Sequence, residues 1–142
     1  MKSILLVLIT LIGLIGCAQT HAFQRISVRV NQIDLNLEFA DTSKLRQQGL
    51  MHRKQLCGHC GMLFRYDKAK IASMWMKNTY IPLDIAFITA NGEVVEIKTL
   101  QPHDLTSVKS SRPVLYALEM NQGWFAENNV KAGDKFHFIP TP

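Results

Sequence analysis

The chain has 142 residues, of which 47% are hydrophobic and 19% are charged. This length suffices for one domain, and the composition excludes an intrinsically disordered chain. Lys and Arg total 16 against 11 for Asp and Glu, and the resulting net charge of +5 is too small to indicate a nucleic-acid partner. Three cysteines exclude a disulfide-dense small scaffold and a four-cysteine zinc site.

The first 16 residues have the pattern of a secretory signal peptide. Lys2 supplies a positive charge, and an uncharged, almost wholly apolar run extends from Ile4 to Gly16. A helix that spans a bilayer needs about 20 apolar residues, and this run is shorter. A cleaved export signal is therefore favoured over a transmembrane or buried N-terminal helix. We therefore expect an exported protein, in the periplasm or anchored to the cell envelope.

Two cleavage sites compete at the end of this segment. Residues 14–17 (Leu-Ile-Gly-Cys) resemble a bacterial lipobox, in which Cys17 receives a diacylglycerol group, whereas cleavage after Ala22 is the ordinary alternative. The lipobox is favoured because the apolar run ends directly at the cysteine. On this interpretation residues 17–24 form a tether to the membrane, and residues 25–142 form a single domain.

The remainder of the chain has the periodicity of many short strands. Alternating apolar residues predict a hairpin of Ile26–Val30 and Ile33–Phe39, and a short helix follows over about Thr42–Gln48 with Gly49 at its end. Further strands are predicted at Gly61–Tyr66, Ile71–Met76, Leu83–Thr89, Val94–Ile97, Val114–Met120 and Lys135–Ile139.

The connections support the same fold class. Asn91-Gly92 between two apolar strands predicts a hairpin with a type I′ turn. The polar segment Gln101–Pro113 predicts a long loop, and Gln122–Asn128 a second short helix. We therefore expect a β-rich (α+β) fold, a compact single-domain antiparallel sandwich or barrel with one or two short helices.

Several stretches together form a recognisable pattern: residues 49–53 (Gly-Leu-Met-His-Arg), 61–64 (Gly-Met-Leu-Phe), 75–79 (Trp-Met-Lys-Asn-Thr), 81–88 (Ile-Pro-Leu-Asp-Ile-Ala-Phe-Ile), Asn91-Gly92, Leu118-Glu119 and Gly133-Asp134. Over about residues 26–139 the chain resembles the bacterial and archaeal domain-of-unknown-function family 192. The resemblance implies a small β-rich domain, often exported, and supplies no established activity or catalytic residues. Cys57 and Cys60 lie outside the family pattern, so any function of theirs would be particular to this chain.

The motif Cys57-Gly58-His59-Cys60 also occurs in protein disulfide isomerases, where the first thiol lies at a helix N-terminus. Here an apolar strand follows the motif, so a local structural disulfide is favoured over redox activity. Lipidation of Cys17, or its removal with the signal peptide, would leave Cys57 and Cys60 as a pair. A zinc site that adds His52 or His59 is disfavoured, because one CxxC lacks a second ligand pair.

Polar residues within apolar surroundings form the predicted ligand site. Asp84 lies in a strand that should be buried, and a buried carboxylate needs an ion-pair or hydrogen-bond partner, for which Arg53 and Lys77 are the natural candidates. The alternative to a ligand site is an internal ion-pair network that fixes the loop at residues 77–79 (Lys-Asn-Thr). The residues predicted to bind an envelope ligand or partner protein are Arg53, Trp75, Lys77, Asn78, Asp84 and Glu119.

Methionines offer another alternative. Thioethers suit Cu(I), and a strand through Met74-Trp75-Met76 would place both methionines on one face, although core packing is the favoured role for these and for Met51, Met62 and Met120. The sequence contains no nucleophile elbow, phosphate loop, zinc-protease helix or dinucleotide motif. It therefore favours a non-enzymatic binding domain without cofactor or metal. A thiol-redox or copper-handling protein and a hydrolase-like enzyme with Asp84 as base are the alternatives.

Overall fold

The computed structural model describes residues 23–139. The predicted signal peptide, the predicted lipidation site Cys17 and most of the predicted tether lie outside the described residues. Within this range no helix is long and apolar enough to cross a membrane. The elements are β1 (Gln24–Val30), β2 (Ile33–Ala40), α1 (Ser43–Gln48), β3 (Gly61–Lys70), β4 (Ser73–Met74), β5 (Leu83–Ile88), β6 (Val94–Leu100), β7 (Val108–Lys109), β8 (Val114–Asn121), α2 (Trp124–Glu127) and β9 (Phe136–Ile139).

Seven of these strands form one curled sheet in the order β6-β5-β8-β3-β2-β1-β9, and β4 pairs with β7 in a separate two-stranded sheet. Neighbouring strands are antiparallel except β2 and β3, which run parallel with Glu38 opposite Met62. The long connection through α1 permits this crossover. The predicted β-rich single domain with two short helices is confirmed, as a half-barrel with one parallel pair.

The sheet separates two hydrophobic clusters, because successive side chains of a strand point to opposite faces. On β8, Leu118 and Met120 belong to a first core that also contains α2, whereas Ala117 belongs to a second core that contains Phe64 and Leu50. Alternation therefore places Glu119 on the face of the second core.

The two ends of the curled sheet meet at the predicted Asn91-Gly92 hairpin. The amide of Phe136 donates to the carbonyl of Gly92 over 2.8 Å, and a Cβ at Gly92 would collide with the carbonyl of Phe136. The hairpin is confirmed, but the type I′ turn is wrong, since only Gly92 has a positive φ (+88°). The amide of Gly92 donates to the carbonyl of Thr89 over 3.1 Å, and the amide of Thr89 donates to the carbonyl of Glu93 over 2.9 Å, so the loop has three residues instead of two.

The predicted strand over Ile71–Met76 is strand only at β4. Trp75 and Met76 leave the ladder, and the amide of Met76 donates to the carbonyl of Asp104 over 2.8 Å. The side chain of Met76 is buried in the second core, whereas that of Trp75 is half exposed. This segment is therefore held by the long polar loop and not by the main sheet.

Candidate functional site

A cavity of about 260 Å³ lies between α1, β3 and the segment around β4. Its walls combine aromatic rings, thioethers and one carboxyl group. The side chains that matter most to its chemistry are Met51, Phe64, Tyr66, Met74, Trp75 and Glu119. We call it the Glu119 cavity.

The helix α1 forms one wall, and its ends are fixed by local signals. The Oγ1 atom of Thr42 accepts a hydrogen bond from the amide of Leu45 over 3.3 Å, which caps the helix N-terminus. Gly49 ends the helix with a positive φ (+46°), which favours glycine, and its amide donates to the carbonyl of Leu45 over 2.9 Å. The turn that follows buries Leu50 in the second core and places Met51 at the cavity.

Glu119 supplies the carboxyl group of the cavity. Its side chain is 4% exposed and lies in register between Met62 of β3 and Ile85 of β5, which are both fully buried. Among residues 23–139 it takes part in no ion pair. Burial raises the pKa of Glu119 to about 8. At neutral pH the group is therefore mostly protonated and able to donate an O–H hydrogen bond.

Tyr66 orders the remainder of the cavity wall. Its hydroxyl donates to the Sδ atom of Met74 over 3.3 Å, and burial, together with nearby Glu119, raises the pKa of Tyr66 to about 12. The Nζ atom of Lys70 lies 4.7 Å from the centroid of the Tyr66 ring, and the guanidinium of Arg46 lies 6.0 Å from it. Both cations also line the cavity. Below pH 8 its charged groups are thus predominantly positive.

The structure brings two of the six predicted ligand-binding residues into this cavity, Trp75 and Glu119. Lys77 lies beside it, with its Nζ atom 5.4 Å from the centroid of the Trp75 ring. Arg53, Asn78 and Asp84 do not line it. Asn78 instead takes a left-handed backbone conformation (φ +52°), and its carbonyl accepts the amide of His52 over 2.8 Å.

The predicted pairing of Asp84 with Arg53 or Lys77 is wrong. The Asp84 carboxylate accepts hydrogen bonds from the hydroxyl of Thr99 and the amide of Gly123, each over 2.8 Å. Strand alternation explains the difference, because the side chains next to Asp84 on β5 point into the second core and Asp84 therefore points to the opposite face.

Arg53 finds a different partner on the side of the second core. Its guanidinium makes a bidentate pair with the carboxylate of Glu38, with both N–O distances 2.6 Å. This pair raises the pKa of Arg53. Arg53 thus fixes the turn after α1 against β2, and an acid–base role for a buried carboxyl group would fall to Glu119 and not to Asp84.

Two residues of the cavity were not predicted as such: Tyr66 was not singled out, and Met51 was predicted to pack in the core. The alternation of β3 predicts that Phe64 and Tyr66 lie on the same face of the sheet, and this pattern could have identified Tyr66 as a neighbour of the second core. The approach of α1 and β4 to that face has no local signature, because it depends on contacts between segments distant in the chain.

The predicted local disulfide between Cys57 and Cys60 is confirmed, with a Cα–Cα distance of 5.0 Å. The Asn121 side chain donates to the carbonyl of Cys57 over 3.0 Å, and the indole N–H of Trp124 donates to the Nδ1 atom of His59 over 3.2 Å. Neither cysteine lines the Glu119 cavity, and β3, not a helix, begins directly after the motif. Within residues 23–139 no three His, Cys, Asp or Glu side chains are grouped as a metal site.

Comparisons with known proteins agree with this architecture. Residues 26–138 match the family model DUF192, described as "Uncharacterized ACR". A crystal structure described as that of a candidate transcription regulator from Sinorhizobium meliloti 1021 is 36% identical with a TM-score of 0.80, and the match covers 82% of this chain and 95% of that chain. A protein of unknown function from Novosphingobium aromaticivorans DSM 12444 is 34% identical with a TM-score of 0.78, over 84% and 89% of the two chains. No curated protein gives a significant match.

Proposed function

The chain belongs to the DUF192 family, whose function is unknown, and from its own residues we propose that it is an exported envelope protein that binds a small organic ligand in the Glu119 cavity. The family membership confirms the resemblance drawn from the sequence motifs. The observation that carries the proposal is a buried carboxyl group that has no ion-pair partner among the described residues and that lines a cavity instead of the packed core.

The lining defines the class of ligand. A protonated Glu119 donates a hydrogen bond, so the ligand carries an acceptor such as a carbonyl or carboxylate oxygen. Phe64, Trp75 and the thioether of Met51 suit an apolar body. Lys70 and Arg46 disfavour a cation and favour an anion. We therefore propose a small carboxylic acid or carbonyl compound.

Binding of a carboxylate to this cavity should weaken as pH rises through about 8, where Glu119 ionises. The other titratable groups that line the cavity are Tyr66 on β3, Lys70 at the end of β3 and Arg46 on α1. Tyr66 stays neutral in this range because burial raises its pKa to about 12. The pH dependence therefore reports the Glu119 carboxyl group.

Export and lipid anchoring are proposed from the N-terminal sequence. The apolar run followed by Cys17 supports cleavage at the lipobox. The Cys57–Cys60 disulfide is consistent with an oxidising compartment such as the periplasm. The proposed partners are the membrane, through the lipid on Cys17, and the small ligand. The modest net charge gives no support for a nucleic-acid partner.

The ligand-binding proposal is tested with benzoate, and with benzylamine as a cation of similar shape. Benzoate should raise the melting temperature of the mature protein at pH 6 and lose this effect by pH 9, whereas benzylamine should have no effect. Glu119→Gln keeps an N–H donor at every pH and should retain the effect of benzoate at pH 9, whereas Glu119→Leu should abolish it. Equal responses to both compounds, or a Glu119→Leu variant that responds like the parent protein, would contradict the proposal.

Copper handling is a second candidate because two thioethers line the same cavity. Met51 and Met74 both face it, with the Trp75 ring beside them, and thioethers bind Cu(I) in preference to harder cations. Anaerobic titration with Cu(I) distinguishes this function from binding of an organic acid. Met51→Leu and Met74→Leu should each abolish Cu(I) binding, while Met62→Leu, a change at a fully buried core position, should leave it intact.

A further inference from the structure

The exposed large hydrophobic side chains of the described residues are concentrated in one part of the fold. They are Ile71, Trp75, Tyr80, Leu105 and Phe138. The first four lie on two segments of the chain, residues 71–80 and 101–110, although these segments make up a small part of the domain. Leu105 is the most exposed of them at 63%, and Trp75 is 50% exposed. We call these four residues the apolar surface.

The two segments are held side by side. Met74 pairs with Val108 between β4 and β7, and the amide of Met76 donates to the carbonyl of Asp104 over 2.8 Å. The rings of Tyr80 and His103 lie 5.0 Å apart between centroids. The apolar side chains therefore protrude from one rigidly connected pair of loops and not from unrelated places.

The chain enters the domain next to this pair of loops. Phe23, the first described residue, packs against the second core, and the guanidinium of Arg53 lies 5.8 Å from its ring centroid. The adjacent residue, His52, contacts the hydroxyl of Tyr80 through its Nδ1 atom over 3.4 Å. The adjacent residues Arg53 and His52 thus lie between Phe23 and Tyr80 of the apolar surface.

The length of the tether restricts which face can meet a membrane. The seven residues from Cys17 to Phe23 are joined by six peptide links, which span at most about 22 Å even when fully extended. A domain of this size is about 35 Å across. A lipid on Cys17 would therefore hold the side of the domain that carries Phe23 close to the bilayer, and this side adjoins the apolar surface.

We infer that the apolar surface of Ile71, Trp75, Tyr80 and Leu105 rests in the headgroup region of the lipid bilayer to which Cys17 tethers the domain. Trp and Tyr side chains have the amphipathic character that favours this region, and the cation of Lys77 beside Trp75 complements anionic lipid. The inference rests on the proposed lipid anchor, but it concerns the orientation of the domain and not the anchorage itself. Since Trp75 also lines the Glu119 cavity, the cavity opens beside the membrane.

Quenching of tryptophan fluorescence by brominated lipid tests the orientation. The mature protein is purified from its host and reconstituted in vesicles of phosphatidylethanolamine and phosphatidylglycerol, with or without bromine on the acyl chains. The chain has two tryptophans, of which Trp124 is buried. Bromination should remove most of the Trp75 emission, and the Trp75→Phe variant, which retains only Trp124, should show no quenching. Leu105→Ser should reduce the quenching of Trp75.

Each outcome bears on the anchor or on the orientation separately. The mass of the N-terminal peptide reports whether Cys17 carries lipid, independently of fluorescence. If the protein is lipidated and bound to vesicles but its Trp75 emission is unchanged by bromination, the proposed orientation is wrong. The lipid anchor would be supported in that case. A protein without lipid would refute the anchor, and quenching of Trp75 by added vesicles would then still support the surface. A dimer in detergent that Leu105→Ser dissociates would instead assign the surface to a second copy of the chain.

Discussion

Two buried carboxyl groups on adjacent strands have opposite environments. Asp84 on β5 is 8% exposed and accepts a hydrogen bond at each oxygen, from Thr99 and Gly123. Glu119 on β8 is buried to a similar degree, but it lies on the other face of the sheet, without an ion-pair partner in the described chain, at a cavity. The difference shows that burial alone does not mark a functional carboxyl group. A functional carboxyl group is marked by the absence of hydrogen-bond partners within the described part of the fold and by a cavity next to it.

The largest expected effect is the pH dependence of stability that Glu119 causes. The folded protein keeps this proton up to about pH 8, whereas an unfolded chain releases it near 4.5. The contribution of Glu119 to stability is therefore fully present below pH 4.5 and is lost as the pH rises through 8, by about 5 kcal/mol in total. Glu119→Gln, which cannot ionise, should remove this loss in urea unfolding measured from pH 5 to 9. A parent protein with constant stability over this range would show that Glu119 titrates normally.

The matched change at Asp84 should lower the stability of the fold and leave ligand binding unchanged. Asp84→Asn keeps one acceptor oxygen and places an N–H₂ group against the donors of Thr99 or Gly123, so it should cost about 2 kcal/mol of the free energy of unfolding. Its response to benzoate at pH 6 should remain that of the parent protein. If Asp84→Asn abolished the response without a loss of stability, Asp84 would belong to the ligand site and the contrast with Glu119 would fail.

The smallest expected effect concerns the Cys57–Cys60 disulfide, which lies away from the Glu119 cavity. The bond joins residues only three positions apart, so replacement of Cys57 and Cys60 by Ser should destabilise the fold by at most about 2 kcal/mol. Because neither cysteine lines the cavity, the pH dependence that Glu119 confers should persist in this double variant. Thermal unfolding at pH 6 and pH 9 checks both points. Loss of benzoate or Cu(I) binding in the variant would indicate that the motif acts on the cavity.

The elements that depend on local pattern were predictable from the sequence. Period-two alternation located the strands of the sheet, Thr42 and Gly49 bounded α1 to within a residue, and the spacing of Cys57 and Cys60 identified the disulfide. Each of these depends on interactions within a few residues or within one hairpin, which the sequence displays directly.

The arrangement of the site depended on longer-range geometry. The prediction joined Asp84 to Arg53 by opposite charge, yet the sheet lies between their side chains and each finds a partner on its own face. Which face Asp84 takes was available from the alternation of β5, but which strands flank β8 was not. The Glu119 cavity likewise requires α1 and β4 to converge on Tyr66, and no local signal fixes that approach.

The pairing of the last strand with the first has a consequence for the order in which the polypeptide acquires its structure. On its side away from β2, β1 pairs with β9, with Val30 opposite Phe136 and Ser27 opposite Ile139. A chain that is threaded through a translocation channel with its N-terminus leading delivers β1 before β9. On the proposed export route, the outer edge of β1 would therefore stay without its partner until β9 had also emerged, and only then would the sheet be complete.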